Sequence, residues 1–238
     1  MIKIGCCGFP VSKKKYFENF NVVEIQQTFY KLIDIETIKK WRKEAPKDFE
    51  FTFKAFQGLT HTIKSPTWKR SGLSKEELKK LEKYVGNLKW NKVTQEYWEK
   101  MVEYSKVLNS KIVVIQLPSS FEDNEENIRN VIEFLENASN EIKIALELRG
   151  WKKENIKKIV EKYEIIDVVD ILNEEPFSKI LYTRLHGKVE NKKIIYKYDY
   201  SKEELKKIYE KVKKYKEAYV MFNNVYMFKN ALELKSFL

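Results

Sequence analysis

Short β-branched, apolar runs alternate with stretches of 3.6-residue periodicity from one end of the chain to the other. That alternation is the pattern of parallel strands joined by crossover helices. Eight runs predict strands, over residues 2–7, 22–26, 49–55, 112–117, 142–149, 165–170, 180–186 and 218–223. Between them the apolar spacing predicts helices over 36–45, 125–138, 155–163 and 203–216, with an insertion of two helices over 57–109 after the third strand. Ser74 with Glu77 and Ser201 with Glu204 have the spacing of capping boxes and mark two helix starts. Eight parallel strands in one domain, residues 1–238, close most simply into an α/β fold of the TIM type, a (β/α)8 barrel with a helical insertion; a doubly wound open sheet is the alternative.

Alternation within the strands points to a site. Side chains change face at every residue of a strand, so in the seventh run Leu181, Thr183 and Leu185 share one face while Tyr182, Arg184 and His186 share the other. In a barrel the apolar face meets the helices, and the polar residues then point inward near the C-terminal mouth, where barrel enzymes place their chemistry. The same parity selects Glu24 and Gln26, Thr52 and Lys54, Gln116, Ala145 with Glu147 and Arg149, Asp170, and Asn223. Isolated buried charges are costly, so convergence from independent strands signals either a binding site or an ion network that closes the barrel.

The chain has 238 residues, 43% of them hydrophobic, enough for a large core. Lysine and arginine number 46 against 35 acidic residues, a formal net charge of +11 that favours anionic partners. Much of the excess is lysine in segments such as SKEELKKLEKY, where i,i+4 pairs make a solvated helix face. Cys6 and Cys7 are adjacent and have no other cysteine to pair with, which reads as a reduced, cytoplasmic protein. MIKIGCCGF lacks the character of a signal peptide, and no apolar run reaches the length of a membrane span.

Six segments in order, NVVEIQQTFY (21–30), FTFKA with LTH (51–55, 59–61), QLPSSF (116–121), ALELR (145–149), RLHG (184–187) and FNN with NALEL (222–224, 230–234), together resemble the domain-of-unknown-function 72 family, also called YecE-like. The resemblance covers essentially the whole chain. It implies a TIM-type barrel with no established reaction, and recurrent polar positions that fall on Glu24, Thr28, Tyr30, Lys54, His61, Gln116, Glu147, Arg149, Asp170, Arg184, His186, Asn223 and Asn224. Two departures stand out. The first strand ends in Gly8-Phe9 where the family usually has Gly-Trp, and the segment after Asn224 reads VYMFK rather than glycine-rich.

Three chemistries can be weighed against these residues. A retaining glycosidase needs paired carboxylates where Gln116 and Arg184 with His186 stand. A multi-zinc phosphodiesterase needs more ligands than His61, His186, Glu24, Glu147 and Asp170 provide, although one metal could be held. A phosphate-ester enzyme fits best: Lys54, Arg149 and Arg184 bind the anion, Glu147 or Glu24 acts as general base, and His186 or His61 as general acid. Glu24, Lys54, Glu147 and His186 are then the catalytic candidates; Tyr30, His61, Gln116, Arg149, Asp170, Arg184, Asn223 and Asn224 bind substrate. The alternative is a non-catalytic nucleic-acid-binding module using lysine-rich helices and the tryptophans Trp68, Trp90 and Trp98, which otherwise pack the insertion onto the barrel. No glycine-rich nucleotide fingerprint is present, and the sequence names no cofactor.

Overall fold

A computed structural model describes residues 1–138, 141–190 and 193–238. Eight parallel strands close a barrel: β1 (Ile2–Cys7), β2 (Val22–Ile25), β3 (Glu50–Lys54), β4 (Ile112–Gln116), β5 (Lys143–Glu147), β6 (Ile166–Val169), β7 (Leu181–Leu185) and β10 (Ala218–Phe222). Each pairs with its sequence neighbour, and β1 pairs with β10 in the register Ile2 to Ala218 through Cys6 to Phe222. The strands are thus those the alternation predicts, mostly trimmed by a residue or two at their ends.

Two apolar cores follow from strand parity. Inward residues such as Val22, Ile112, Val114, Ala145, Ile166, Val168 and Met221 fill the barrel, and Tyr182 stacks on Tyr219 at 5.5 Å between ring centroids. Outward residues such as Ile4, Val23, Phe51, Val113, Leu146, Leu185 and Val220 pack against the helical layer. At the N-terminal end Lys3 is paired with Glu50, and Tyr219 donates to Glu50 at 2.5 Å. This polar plug closes the floor of the barrel, the end at which conserved chemistry is not placed.

Helices α3 (Ile35–Glu44), α7 (Glu125–Asn137), α8 (Lys153–Tyr163) and α9 (Lys202–Val212) lie where periodicity predicts them. Both expected capping boxes are formed, with Ser74 accepting from the Glu77 amide and Ser201 from the Glu204 amide. The insertion carries more than two helices: α4 (Gln57–Thr60), a 3-10 turn (Pro66–Arg70), α5 (Lys75–Leu81) and the 17-residue α6 (Lys92–Leu108). The periodicity does not predict α1 (Lys13–Asn19), α2 (Gln27–Tyr30), α10 (Met227–Lys235) or a small antiparallel pair after β7, β8 (Lys188–Glu190) with β9 (Lys193–Ile195).

The tryptophans of the insertion pack against the barrel, as their bulk and apolar character suggest, and do not serve the alternative stacking role. Trp68 and Trp98 are 2% and 3% exposed, buried in the core, and Trp90 packs against it with its ring on Phe134. Their apolar surface holds the insertion to the barrel, so these indoles offer no stacking platform to a nucleic acid. Among the described residues no helix is long and apolar enough to cross a membrane.

Candidate functional site

The C-terminal ends of the strands bring Glu24, Lys54, Gln116, Glu147 and Arg184 together, as parity requires. Arg184 is at the centre and only 2% exposed. Its Nη2 donates to Glu24 Oε1 at 2.9 Å and its Nη1 to Glu147 Oε2 at 2.6 Å. Glu24 also accepts from Gln26 Nε2 at 2.5 Å and, through its other oxygen, from the Tyr182 hydroxyl at 2.9 Å. Glu147 Oε1 accepts from Arg149 at 2.6 Å. Both carboxylates are therefore saturated by cations and donors, the condition for burying them.

His186 extends this network upward. Its Nδ1 lies 3.1 Å from the Arg184 carbonyl and its Nε2 3.3 Å from Arg149 Nη2. A carbonyl on one side and a guanidinium on the other fix a neutral ring with the proton on Nδ1. Burial, then the charge of Arg184, pushes its pKa down to about 3. Burial, then Lys54, does the same to His61, also to about 3. Both rings are therefore neutral rather than imidazolium at neutral pH. Burial pushes the Glu147 carboxyl up, but Arg184 and Arg149 outweigh it and hold the group well below the usual carboxylate range.

Lys54 differs from the other cations. Its Nζ donates to Gln116 Oε1 at 2.7 Å and lies 3.6 Å from the centre of the Phe29 ring, and among the described residues no carboxylate forms an ion pair with it. Burial, then Arg184, lowers its pKa to about 7 against the opposing pull of Glu147 and Glu24. Its backbone is fixed by Thr28, whose hydroxyl donates to the Lys54 carbonyl at 2.6 Å.

Above these residues is a cavity of about 310 Å³ lined by Lys54, Arg149 and Arg184, by Gln26, Gln116, His186 and Asn223, and by Tyr30, Arg70 and Tyr196. Four of the ten lining residues are cationic and none is acidic; Glu24 and Glu147 lie beneath, turned to their guanidinium partners. The last three come from elements other than strands. The Arg70 guanidinium stacks 3.5 Å above the Tyr30 ring, and Gln57 ties these two elements together, donating to the Tyr30 carbonyl and accepting from Thr67. Tyr196 follows β9, and its carbonyl accepts from the Val225 amide at 2.8 Å. Sequence parity is blind to Arg70 and Tyr196 because neither is on a strand.

Besides Glu24 and Glu147 beneath it, three candidates lie away from this cavity. The chain turns after Val169, so Asp170 leaves the strand parity and accepts from the Leu172 amide at 3.0 Å and from Asn173 at 2.9 Å. Asn224 is buried beside α10 and donates to Tyr198 O and Asn230 Oδ1. His61 accepts from or donates to Thr60 at 2.7 Å, packs edge-on against Phe29, and lines a separate cavity of about 270 Å³ with Ser65, Asn87 and Ser120. A larger groove of about 740 Å³ between α1 and α3 holds Lys13 and Glu44, which satisfy one another at 2.5 Å. Cys6 and Cys7 are free and buried, and burial raises both thiols, so neither is poised as a thiolate.

The family model described as protein of unknown function DUF72 matches residues 13–238. The chain belongs to the DUF72 family. A DUF72 family structure from Enterococcus faecalis V583 superposes with a TM-score of 0.72 at 20% identity, covering 99% of this chain and 94% of that one. One from Thermotoga maritima MSB8 gives 0.69 at 24%, covering 100% and 98%. The UPF0759 protein YunF of Bacillus subtilis is 36% identical over 73 residues, 25% of this chain, and the match spans about a quarter of its own length, 26%. Beyond the family, the barrel is similar to that of SacUVDE, with a TM-score of 0.58 at 11% identity over 94% of this chain and 82% of that one. At these identities the likeness of this DUF72 protein to solved structures is one of fold.

Proposed function

We propose that this DUF72 protein is an enzyme whose barrel mouth binds a phosphate-bearing small molecule, with hydrolysis of a phosphoester or a lyase reaction as the chemistry. One observation carries the reading: the cations face the cavity while the carboxylates beneath are consumed by Arg184 and Arg149. Three guanidinium groups and an ammonium against two carboxylates leave the mouth positive, and a planar guanidinium beside an ammonium matches the oxygens of a phosphate. Arg70, stacked on Tyr30, and Arg149, anchored to Glu147, are the outer arms of this arrangement. Arg184, with both terminal nitrogens taken, serves as the fixed positive floor.

A small molecule suits the volume better than a polymer, since about 310 Å³ is at the lower end of ligand pockets. Among the described residues no three His, Cys, Asp or Glu side chains gather as metal ligands would. The fold likeness to SacUVDE and to the IOLI protein with its bound zinc therefore adds no donor set to this site.

Calorimetric titration with inorganic phosphate, a nucleoside monophosphate and a short single-stranded DNA at two salt concentrations tests the reading. Phosphate and the monophosphate are expected to bind with shallow salt dependence, and Arg149→Lys to weaken both by about tenfold through loss of the fork. Absence of binding by any of the three anions would overturn it. Binding of DNA alone, with a steep salt dependence and no response to Arg149→Lys, would favour a nucleic-acid module on the lysine-rich helices instead.

A further inference from the structure

We propose that Lys54 is a covalent nucleophile, whose amine condenses with the carbonyl group of a small aldehyde or ketone held in the same cavity by its phosphate. The inference rests on the anion-binding reading above and names the substrate class: a phosphorylated carbonyl compound.

The geometry of Lys54 sets it apart from the two arginines of the strand ends. Arg184 and Arg149 are tied to carboxylates at 2.6 to 2.9 Å, and Arg70 lies on Tyr30. A lysine serving only as a counter-charge would be paired in the same way. Lys54 instead has an aromatic face on one side and a neutral amide on the other, and it faces the cavity. Cation–π contact and one amide acceptor hold the nitrogen in place without an anion to fix its proton. The groups around it are Glu24 from β2, Glu147 and Arg149 from β5 and its end, Arg184 from β7 and His61 beyond α4, with Arg184 the largest charge acting against protonation and Glu147 the largest acting for it. With a pKa of about 7 a substantial fraction of the amine is neutral and nucleophilic at neutral pH, whereas an exposed lysine is almost wholly charged.

In the step itself the neutral amine attacks the carbonyl carbon. A nitrogen–carbon bond forms, the π pair moves to oxygen, and the nitrogen's proton passes to that oxygen to give a carbinolamine. Protonation from solvent then lets the hydroxyl leave as water, and the nitrogen lone pair forms the C=N bond of an iminium ion. The iminium carries the same single positive charge as the lysine ammonium, and the Phe29 ring face and the Gln116 amide oxygen lie where they meet it. That cation draws electrons from the bond next to the former carbonyl, the basis of a lyase reaction, and hydrolysis restores both amine and carbonyl.

Reductive trapping tests the proposal. The folded protein is incubated with glyceraldehyde 3-phosphate and cyanoborohydride, and adducts are located by peptide mass spectrometry. Lys54 is expected to label about tenfold faster than the exposed lysines, with a rate that rises through pH 7 and falls at least severalfold in excess inorganic phosphate or when unphosphorylated glyceraldehyde is used. Lys54→Arg should lose that adduct while keeping a native circular dichroism spectrum. If Lys54 labels no faster than surface lysines, or phosphate fails to compete, the nucleophile is overturned. Phosphate titration of the same sample separates the two readings. Phosphate binding without a Lys54 adduct leaves the anion site standing, and no phosphate binding overturns the anion site itself.

Discussion

Burying Lys54 writes a pH dependence into the stability of the fold. Its pKa falls from 10.5 to about 7 on folding, so between those values the unfolded chain holds a proton that the folded chain has released. Stability contributed at this position therefore rises with pH across that window, and below pH 7 the full penalty of a buried ammonium is present. Lys54→Met is expected to stabilise the protein by about 2 to 4 kcal/mol at pH 6 and by little at pH 10. Urea midpoints at the two pH values check this; an equal gain at both would contradict it. Glu147 and Arg184 behave in the opposite sense. Removing either unbalances the buried network, leaving Arg184 with Glu24 alone or Glu24 without a cation, at about 3 to 5 kcal/mol, whereas the double variant Glu147→Gln with Arg184→Met should cost clearly less than the sum. Plain additivity in that cycle would show the pair to be uncoupled. Parity along the strands made Glu24, Lys54, Gln116, Glu147, Arg184 and Asn223 legible as one group. It reports the face of a residue and not its depth, which is why it cannot separate the carboxylate floor from the cationic lining, and it fails where the chain turns, which is why Asp170 departs from the site; Asn224, suggested by the family resemblance alone, is spent on Tyr198 and Asn230.

Elements outside the strands complete the mouth, and the segment after β7 is the most exacting of them. Gly187 has φ of +105°, and a Cβ there would sit 2.3 Å from the Ile195 carbonyl oxygen, backbone against backbone. The Tyr200 hydroxyl accepts from the Gly187 amide at 2.8 Å and holds the same turn. Gly187→Ala is expected to lower stability by about 2 kcal/mol or more and, by displacing the strand that leads into Tyr196, to weaken phosphate binding as well. A variant with reduced thermal stability but unchanged phosphate affinity would separate the turn from the site. Such elements were hard to read in the sequence for a physical reason. α1 is seven residues long with three lysines at its start, β8 and β9 are three residues each and mostly exposed, and α2 and α4 are single turns. None is long enough to show a period, whereas α7 and α9 present a full apolar stripe and a side-chain cap.

For the whole molecule, the barrel was legible because eight apolar runs separated by helical segments leave few ways to bury every strand on both faces. Closure has a further consequence, for the order in which the molecule assembles. Strands β2 to β7 each pair with a neighbour nearby in sequence, but β1 finds its second partner only in β10, with Ile4 opposite Val220. A chain emerging from synthesis can zip the intermediate strands early, yet it carries two unpaired edges until its last strand is made, the interval in which edge-to-edge association is a hazard. Non-local pairing of this kind is slow, because the loop entropy is lost before the contacts reward it. The β1–β10 seam should therefore form after the rate-limiting barrier. Val220→Ala, buried in that seam, is expected to accelerate unfolding by about tenfold or more while leaving the refolding rate nearly unchanged, and stopped-flow kinetics showing the change in refolding instead would place the seam in the nucleus.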